Sequence, residues 1–430
     1  MRMDELILYR TDPADEILRD MAELIGGAGG AKLLYRNLCY RTTAKLLKVS
    51  SEMGFAGNLW HDYLAYYLVN HENAFSLSAE MRQISRENTI RSFALHDLEI
   101  FREFFACDIR ELDSRYDAEC FGALADFLPD HGGGRRFSRR IRDRIVELAK
   151  DLAGAESAGE MLQRMERFYQ ENGTGMFGLH KAFRLRDNAG DRAVIEPIVK
   201  TAPVQLSDLV GYNAAKQMLI ENTEAFVEGK KANNCLLYGD AGTGKSSSVK
   251  GILNRFFAQG LRVIEIYKHQ FRYLNDLVSQ IKDRNYRFII FMDDLSFEDN
   301  ETEYKYLKAL IEGGLEVKPD NILIYATSNR RHLVHENFRD KLDRYEDDDI
   351  HESDTVQEKL SLYNRFGVTI YFGRPDPKLF KTIVLELAKR NGLDLPEEEL
   401  LLQANRWELS HGGLSGRTAQ QFIDYCISVR

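Results

Sequence analysis

The stretch "CLLYGDAGTGKSSSVKGIL", Cys235 to Leu253, runs from a short apolar segment through a glycine-rich turn into an amphipathic pattern. Gly239-Asp240-Ala241-Gly242-Thr243-Gly244-Lys245-Ser246 satisfies G-x-x-x-x-G-K-[ST] at every fixed position. Glycines let successive backbone N–H groups turn toward one centre and cradle phosphate oxygens. Lys245 reaches the β- and γ-phosphates, the Ser246 hydroxyl is placed for Mg²⁺, and Ser247 follows in the first helical turn. That helix aims its positive end at the same anion. The plainer alternative is a glycine turn that happens to precede Lys-Ser. The strand before it and the helix after it argue for a nucleotide site instead.

Outward from this loop, short apolar runs alternate with helical patterns. "CLLY" (235–238), "RVIEIY" (262–267), "RFIIFM" (287–292), "ILIYA" (322–326) and "VTIYF" (368–372) read as buried parallel strands. Val249, Ile252, Leu253, Phe256 and Phe257 form one stripe on the intervening helix. The expected core is an α/β P-loop fold with a five-stranded parallel sheet over 205–372. Three helical segments over 373–430 read as a lid, the first ending at Asn391-Gly392.

Upstream, "ADEILRDMAELI", "AKLLYRNLCYRTTAKLL", "NLWHDYLAYYLVN" and "GEMLQRMERFYQ" carry helical spacing, so 1–186 is expected as a mainly helical domain. Residues 187–204, broken by Asn, Gly, Asp and Pro, read as a linker.

Bulk properties narrow the function classes. The 430 residues carry a formal charge of −9, which argues against general coating of nucleic acid. Five scattered cysteines form no disulfide or zinc pattern. The N-terminus is too charged for a signal peptide and no membrane-length apolar run occurs, so a cytoplasmic protein is expected.

The second acidic centre is "RFIIFMDDLSFE". Asp293, at the end of its strand, is the expected Mg²⁺ carboxylate, and Asp294 the group that polarises attacking water. A solvated acidic pair capping the next turn is the alternative. Glu298 is a reserve candidate.

The order of motifs resembles the AAA+ ATPases: the phosphate loop at 239–246, the acidic strand at 288–294, "ILIYATSN" ending in Asn329, "SLYNRFGVTIYF" with Arg365, and "GLSGRTAQQF" with Arg417. "YATSNRRHL", "GDAGTGKSSSVK" and "DDLSFE" together look most similar to an uncharacterised bacterial AAA+ ATP-binding family, a domain of unknown function. The resemblance covers about residues 200 to 430. It implies ATP as the nucleotide, Asn329 positioning water, Arg365 as an arginine finger completing a neighbour's site in a homo-oligomer, and Arg417 reaching the γ-phosphate from the lid. Arg330 and Arg331 are alternative fingers. Gly211 and Tyr212, in "LSDLVGYNAAKQ", fall where such proteins pack against adenine. One position departs from the pattern: Asp294 stands where hydrolytic relatives mostly carry Glu, which bears on the rate.

Partner signals are sparser. "HGGGRRFSRRIRDRIVEL" places Arg135, Arg136, Arg139, Arg140, Arg142 and Arg144 around a helix start, where the macrodipole disfavours cations. This is either a solvated face, a nucleic-acid contact, or a dock for the acidic stretch "YEDDDIHESD" (345–354) of another subunit. "KHQFRYLNDL" lacks the glycine of a polypeptide-threading loop, and His332 and His335 have no third ligand. Three functions follow as expectations: an Mg²⁺-dependent ATPase remodelling a protein client, an ATP-gated switch or scaffold with little turnover, and a DNA-associated loader.

Overall fold

The computed structural model describes residues 3–10, 15–27, 32–81, 88–129, 137–186, 192–297, 301, 303–312, 319–329 and 365–429. Glu298, Arg135, Arg136, Arg330, Arg331, His332, His335 and the acidic stretch 345–354 lie outside the described residues. The chain divides into two compact units, Met1–His180 and Lys181–Arg430.

The first unit is helical, as its periodicity predicts. The four quoted segments form Glu16–Gly26, Lys32–Met53, Leu59–Asn70 and Ala158–Asn172. Asp15 opens the first by accepting from the Ile17 and Leu18 N–H groups, an N-cap that satisfies donors the helix cannot. Trp60, Phe101, Phe104 and Tyr169 are fully buried at its centre. The polar groups among them are spent on architecture. Asp97 is 0% exposed. Its carboxylate accepts from the backbone N–H groups of Ile7 (3.0 Å), Leu8 (2.7 Å) and Tyr9 (2.9 Å), pinning the N-terminal segment. Trp60 Nε1 donates to Phe104 O at 3.1 Å.

The arginine-rich segment forms helix Arg139–Ala153, with Ile141, Ile145, Leu148 and Leu152 buried. Arg140 donates to Leu179 O, Arg142 pairs with Asp143, and Arg144 donates to Asn172 Oδ1. Three of the six arginines are thus already engaged within the unit.

The second unit is built on one sheet. Its strands are β1 (Ala182–Arg186), β2 (Val194–Pro197), β3 (Cys235–Gly239), β4 (Leu261–Glu265), β5 (Arg287–Met292), β6 (Ile322–Ser328) and β7 (Val368–Phe372). They lie in the order β2-β1-β4-β5-β6-β3-β7. All five expected strands are present and mutually parallel, and β1 joins them in parallel. Only β2 runs antiparallel, hairpinned onto β1.

β1 and β2 fall where the sequence reading put the end of the helical domain and the linker. The reason is that an edge hairpin needs few apolar residues: here Phe183, Leu185 and Ile195 suffice, amid charged neighbours. From β2 the chain continues as a strap along the helix that follows the phosphate loop, Lys245–Phe256. Asn254 Nδ2 on that helix donates to Ala202 O (3.0 Å) and Val204 O (2.7 Å), and Lys181 Nζ donates to Asn254 Oδ1.

The lid comprises Pro377–Arg390, Glu397–Ser410 and Gly416–Ser428, the three helices expected. Their shared core includes Phe380, Val384, Leu400, Phe422 and Ile423.

Candidate nucleotide-binding site

The sheet order brings the chemistry together. β3 sits between β6 and β7, and β5 flanks β6, so the segments leaving the carboxyl ends of β3, β5 and β6 meet at one edge. In an open parallel sheet that edge is where ligands bind. A cavity of about 730 Å³ opens there, walled by the phosphate loop, Asp293, Asp294, Asn329 and lid residues including Ile383 and Arg417.

The loop holds its shape for steric reasons. A side chain at Gly239, whose φ is 135°, would strike the Phe372 carbonyl of β7. At Gly242 (φ 75°) a Cβ would come within 3.0 Å of the Arg417 Cβ and Ser415 Oγ of the lid. The lid is fastened here as well, because the Arg417 N–H donates to Gly242 O at 3.2 Å. Ser415 caps the Arg417 helix by accepting from Thr418 N–H at 3.0 Å. The Asp240 carboxylate accepts from the Arg374 N–H at 2.8 Å, joining the loop to the end of β7.

Lys245 is 7% exposed. Its Nζ donates to Gly239 O (2.9 Å), Asp240 O (2.6 Å) and Asn329 Oδ1 (2.9 Å). Burial pushes its pKa down, opposed by the charges of Asp240, Asp294 and Asp293, while Arg417 adds to the lowering. Asn329 Nδ2 in turn donates to Asp294 Oδ1 at 2.7 Å. Lys245, Asn329 and Asp294 therefore form one continuous chain. Asp294 sits in the left-handed region (φ 53°), which Asp tolerates better than most residues, and its N–H donates to Thr327 Oγ1 at 2.9 Å.

A second chain runs beside it. Ser246 Oγ donates to Asp293 Oδ1 at 2.6 Å, and Thr327 Oγ1 donates to the same oxygen at 2.5 Å. Hydroxyl and carboxylate oxygens form the hard donor set that Mg²⁺ prefers, with phosphate and water completing its shell.

Tyr212 also reaches the cavity wall. It has φ 53°, lies 5.4 Å from the Phe372 ring, and donates its hydroxyl to Gly373 O at 2.9 Å. Burial, helped by the Asp240 charge, pushes its pKa up to about 12. Of the remaining loop residues, Ala241, Thr243, Gly244 and Ser247 line the cavity. Gly239, Asp240 and Gly211 do not; Gly211 instead lines a smaller neighbouring cleft beside the lid.

Arg365 stands apart. β3 and β7 pair in parallel from Cys235 opposite Val368 to Gly239 opposite Phe372. The phosphate loop leaves the far end of that ladder, whereas Arg365 precedes its near end. The strand between them spans about 13 Å at the usual rise per residue, so Arg365 does not reach its own chain's loop.

Three contributors escape the motif reading. Thr327 lies near the carboxyl end of β6, two residues before Asn329, which follows just past the strand, so its nearness to the site was readable. Lys250, one turn beyond Ser246, lines the cavity too. Val204 does so from the strap, at the end of the stretch that in sequence looks like a linker.

This strand order, loop and lid define a P-loop fold of the AAA+ class. Residues 179–429 match the family described as protein of unknown function DUF815, and the chain belongs to that family. Over 81 residues it is 35% identical to the replication factor C large subunit of Staphylothermus marinus, a stretch covering 19% of this chain and 18% of that subunit. A solved structure of Thermotoga maritima RuvB, a Holliday junction branch migration motor, matches at 14% identity with a TM-score of 0.35, covering 52% of this chain and 63% of that one. A single-residue variant of the same Thermotoga maritima protein matches at 16% identity with a TM-score of 0.36, covering 52% of this chain and 64% of that one. The chain spans less than two thirds of each of these relatives. Among the described residues no helix is long and apolar enough to cross a membrane.

Proposed function

We propose that this protein binds ATP with Mg²⁺ and hydrolyses it to remodel a protein partner. The observation that carries the reading is the pair of side-chain chains meeting in one cavity, Lys245–Asn329–Asp294 and Ser246–Asp293–Thr327. In this reading Lys245 and the loop N–H groups hold the β- and γ-phosphates, while Ser246 and Asp293 hold Mg²⁺. Bound there, Mg²⁺ would neutralise phosphate charge. Asn329 and Asp294 orient the water, and Arg417 reaches the γ-phosphate from the lid. Tyr212, Val210, Ile383 and Leu387 give the base its apolar surroundings.

Arg365 fits a role in trans, because its place at the opposite end of β7 bars it from its own loop. In this reading Arg365 completes a neighbour's site in a homo-oligomer, and the helical unit selects the client.

A second reading, an ATP-gated switch with little turnover, is favoured by one observation. Asp294 Oδ1 is already held by Asn329, on a side chain one methylene shorter than Glu.

Steady-state ATP hydrolysis with Mg²⁺, measured across protein concentrations beside Lys245→Ala and Arg365→Ala, separates the two. Specific activity that rises with concentration and collapses in both variants is the expected result. Tight ATP binding without turnover at any concentration would establish the switch.

A further inference from the structure

A second cavity, of about 310 Å³, lies on the other side of the Lys245–Phe256 helix. Small-molecule sites run from about 300 to 1,000 Å³, so it suits a compact ligand. Phe183 of β1 and Val263 of β4 line it together with Phe291 of β5, and Val249 and Leu253 come from the helix. The strap closes it with Ile198 to Ala202.

Three charged residues also line this mostly apolar cavity: Glu265 at the end of β4, Lys200 at an exposed position on the strap and Lys250 on the helix. Glu265 is half-buried, and its carboxylate makes no hydrogen bond or ion pair among the described residues. Burial, reinforced by the Asp293 charge, pushes its pKa up, against the pull of Lys250 and Arg184. A carboxylate withdrawn from water without a bonded partner is costly unless something supplies one.

The charge arrangement selects the ligand. A simple anion would satisfy the lysines but face Glu265. A simple cation would satisfy Glu265 but face two ammonium groups. We propose that this cavity binds a compact apolar zwitterion, an α-amino acid with an aliphatic or aromatic side chain. Its ammonium group meets Glu265, its carboxylate meets Lys200 and Lys250, and its side chain packs on Val249, Val263 and Phe291, which share one face of the sheet and its helix. Because Lys250 walls both this cavity and the nucleotide cavity, occupancy of one bears directly on the other. The proposal does not depend on ATP being hydrolysed.

The test uses the full chain without nucleotide, titrated by calorimetry. The probes are L-leucine and L-phenylalanine, each beside its amine half (3-methylbutylamine, phenethylamine) and its acid half (4-methylpentanoate, 3-phenylpropanoate). At least one amino acid should saturate, with each of its halves weaker by about tenfold or more, the scale of one charge-assisted hydrogen bond. Glu265→Gln should lower the amino acid to the affinity of its acid half. Lys200→Gln, at an exposed strap position, should weaken amino acid and acid together while sparing the amine. No saturable binding by any probe, either half binding as tightly as the parent, or affinities unchanged by Glu265→Gln would overturn the proposal.

Discussion

The two units use their carboxylates in opposite ways. In the helical unit the Asp97 carboxylate is consumed by three backbone N–H groups, and little of its capacity is left for a ligand. In the α/β unit, Asp293 accepts from the Ser246 and Thr327 hydroxyls and Asp294 from the Asn329 amide, which also takes one bond from Lys245, around an open cavity. A charge bonded to backbone holds a fold. Carboxylates held by neutral side chains beside a void keep places for something that arrives later. The difference assigns chemistry to one unit and architecture to the other, and each can be tested separately. The chain has two tryptophans, Trp60 in the first unit and Trp407 in the second, so fluorescence can follow each by itself.

The sharpest way to break this contrast is Lys245→Ala. ATP hydrolysis should fall by at least about a hundredfold, the scale of removing one preorganised electrostatic contact. The unfolding midpoint reported by Trp60 should stay unchanged. If Trp60 unfolding moved with it, the division of labour would be wrong.

Asp97→Ala should do the reverse. It leaves three backbone donors buried without an acceptor, a loss of about 3–5 kcal/mol in the stability of the helical unit. Nucleotide binding, followed with a fluorescent ATP analogue at a temperature where both units are folded, should be unaffected.

A third test uses pH. Asp62 is 3% exposed, and its Oδ2 has no hydrogen-bond partner among the described residues. Burial raises its pKa from 3.8 to about 7. An acid whose pKa is higher folded than unfolded binds more protons in the folded state, so stability declines as pH climbs from about 4 toward 7. Between pH 5 and pH 8 this group should cost the helical unit about 2.5 kcal/mol. Asp62→Asn should flatten that decline, read by the Trp60 signal in urea melts at the two pH values. An equal slope in the variant would place the pH sensitivity elsewhere.

The smallest expected effect sharpens the boundary. Asn254→Ala frees the strap carbonyls of Ala202 and Val204. It should destabilise the α/β unit by about 1–2 kcal/mol and weaken ATP binding a few-fold through Val204 in the cavity wall, with no change in Trp60 unfolding. Unaltered ATP affinity would detach the strap from the site.

Legibility in the sequence tracked how local each signal is. The strand, glycine loop and helix around 239–246 were readable, because the fixed glycines, Lys245 and Ser246 lie within eight consecutive residues. The five parallel strands were readable because they are buried on both faces and so continuously apolar. The β1–β2 hairpin was not, since an edge strand needs apolar residues on one face only, and Arg184, Arg186 and Glu196 interrupt the pattern. The arginine run looked like an unpartnered cationic face, yet Leu179 and Asn172, which occupy Arg140 and Arg144, come from 28 to 39 residues away. Partners at that separation leave no trace in a local window. The same holds for Glu265 and Lys200, whose meeting in one cavity depends on how the strap folds back.

That strap has a mechanical consequence. One asparagine side chain, Asn254, grips the first residue of the α/β unit, Lys181, and two carbonyls of the strap, from the very helix that begins at Lys245. Tension arriving along the polypeptide from the N-terminal side would meet this clasp before it met the sheet. The route by which a load on the helical unit could reach the loop at 239–246 is therefore covalent and short, a tether clipped to the helix that begins at Lys245.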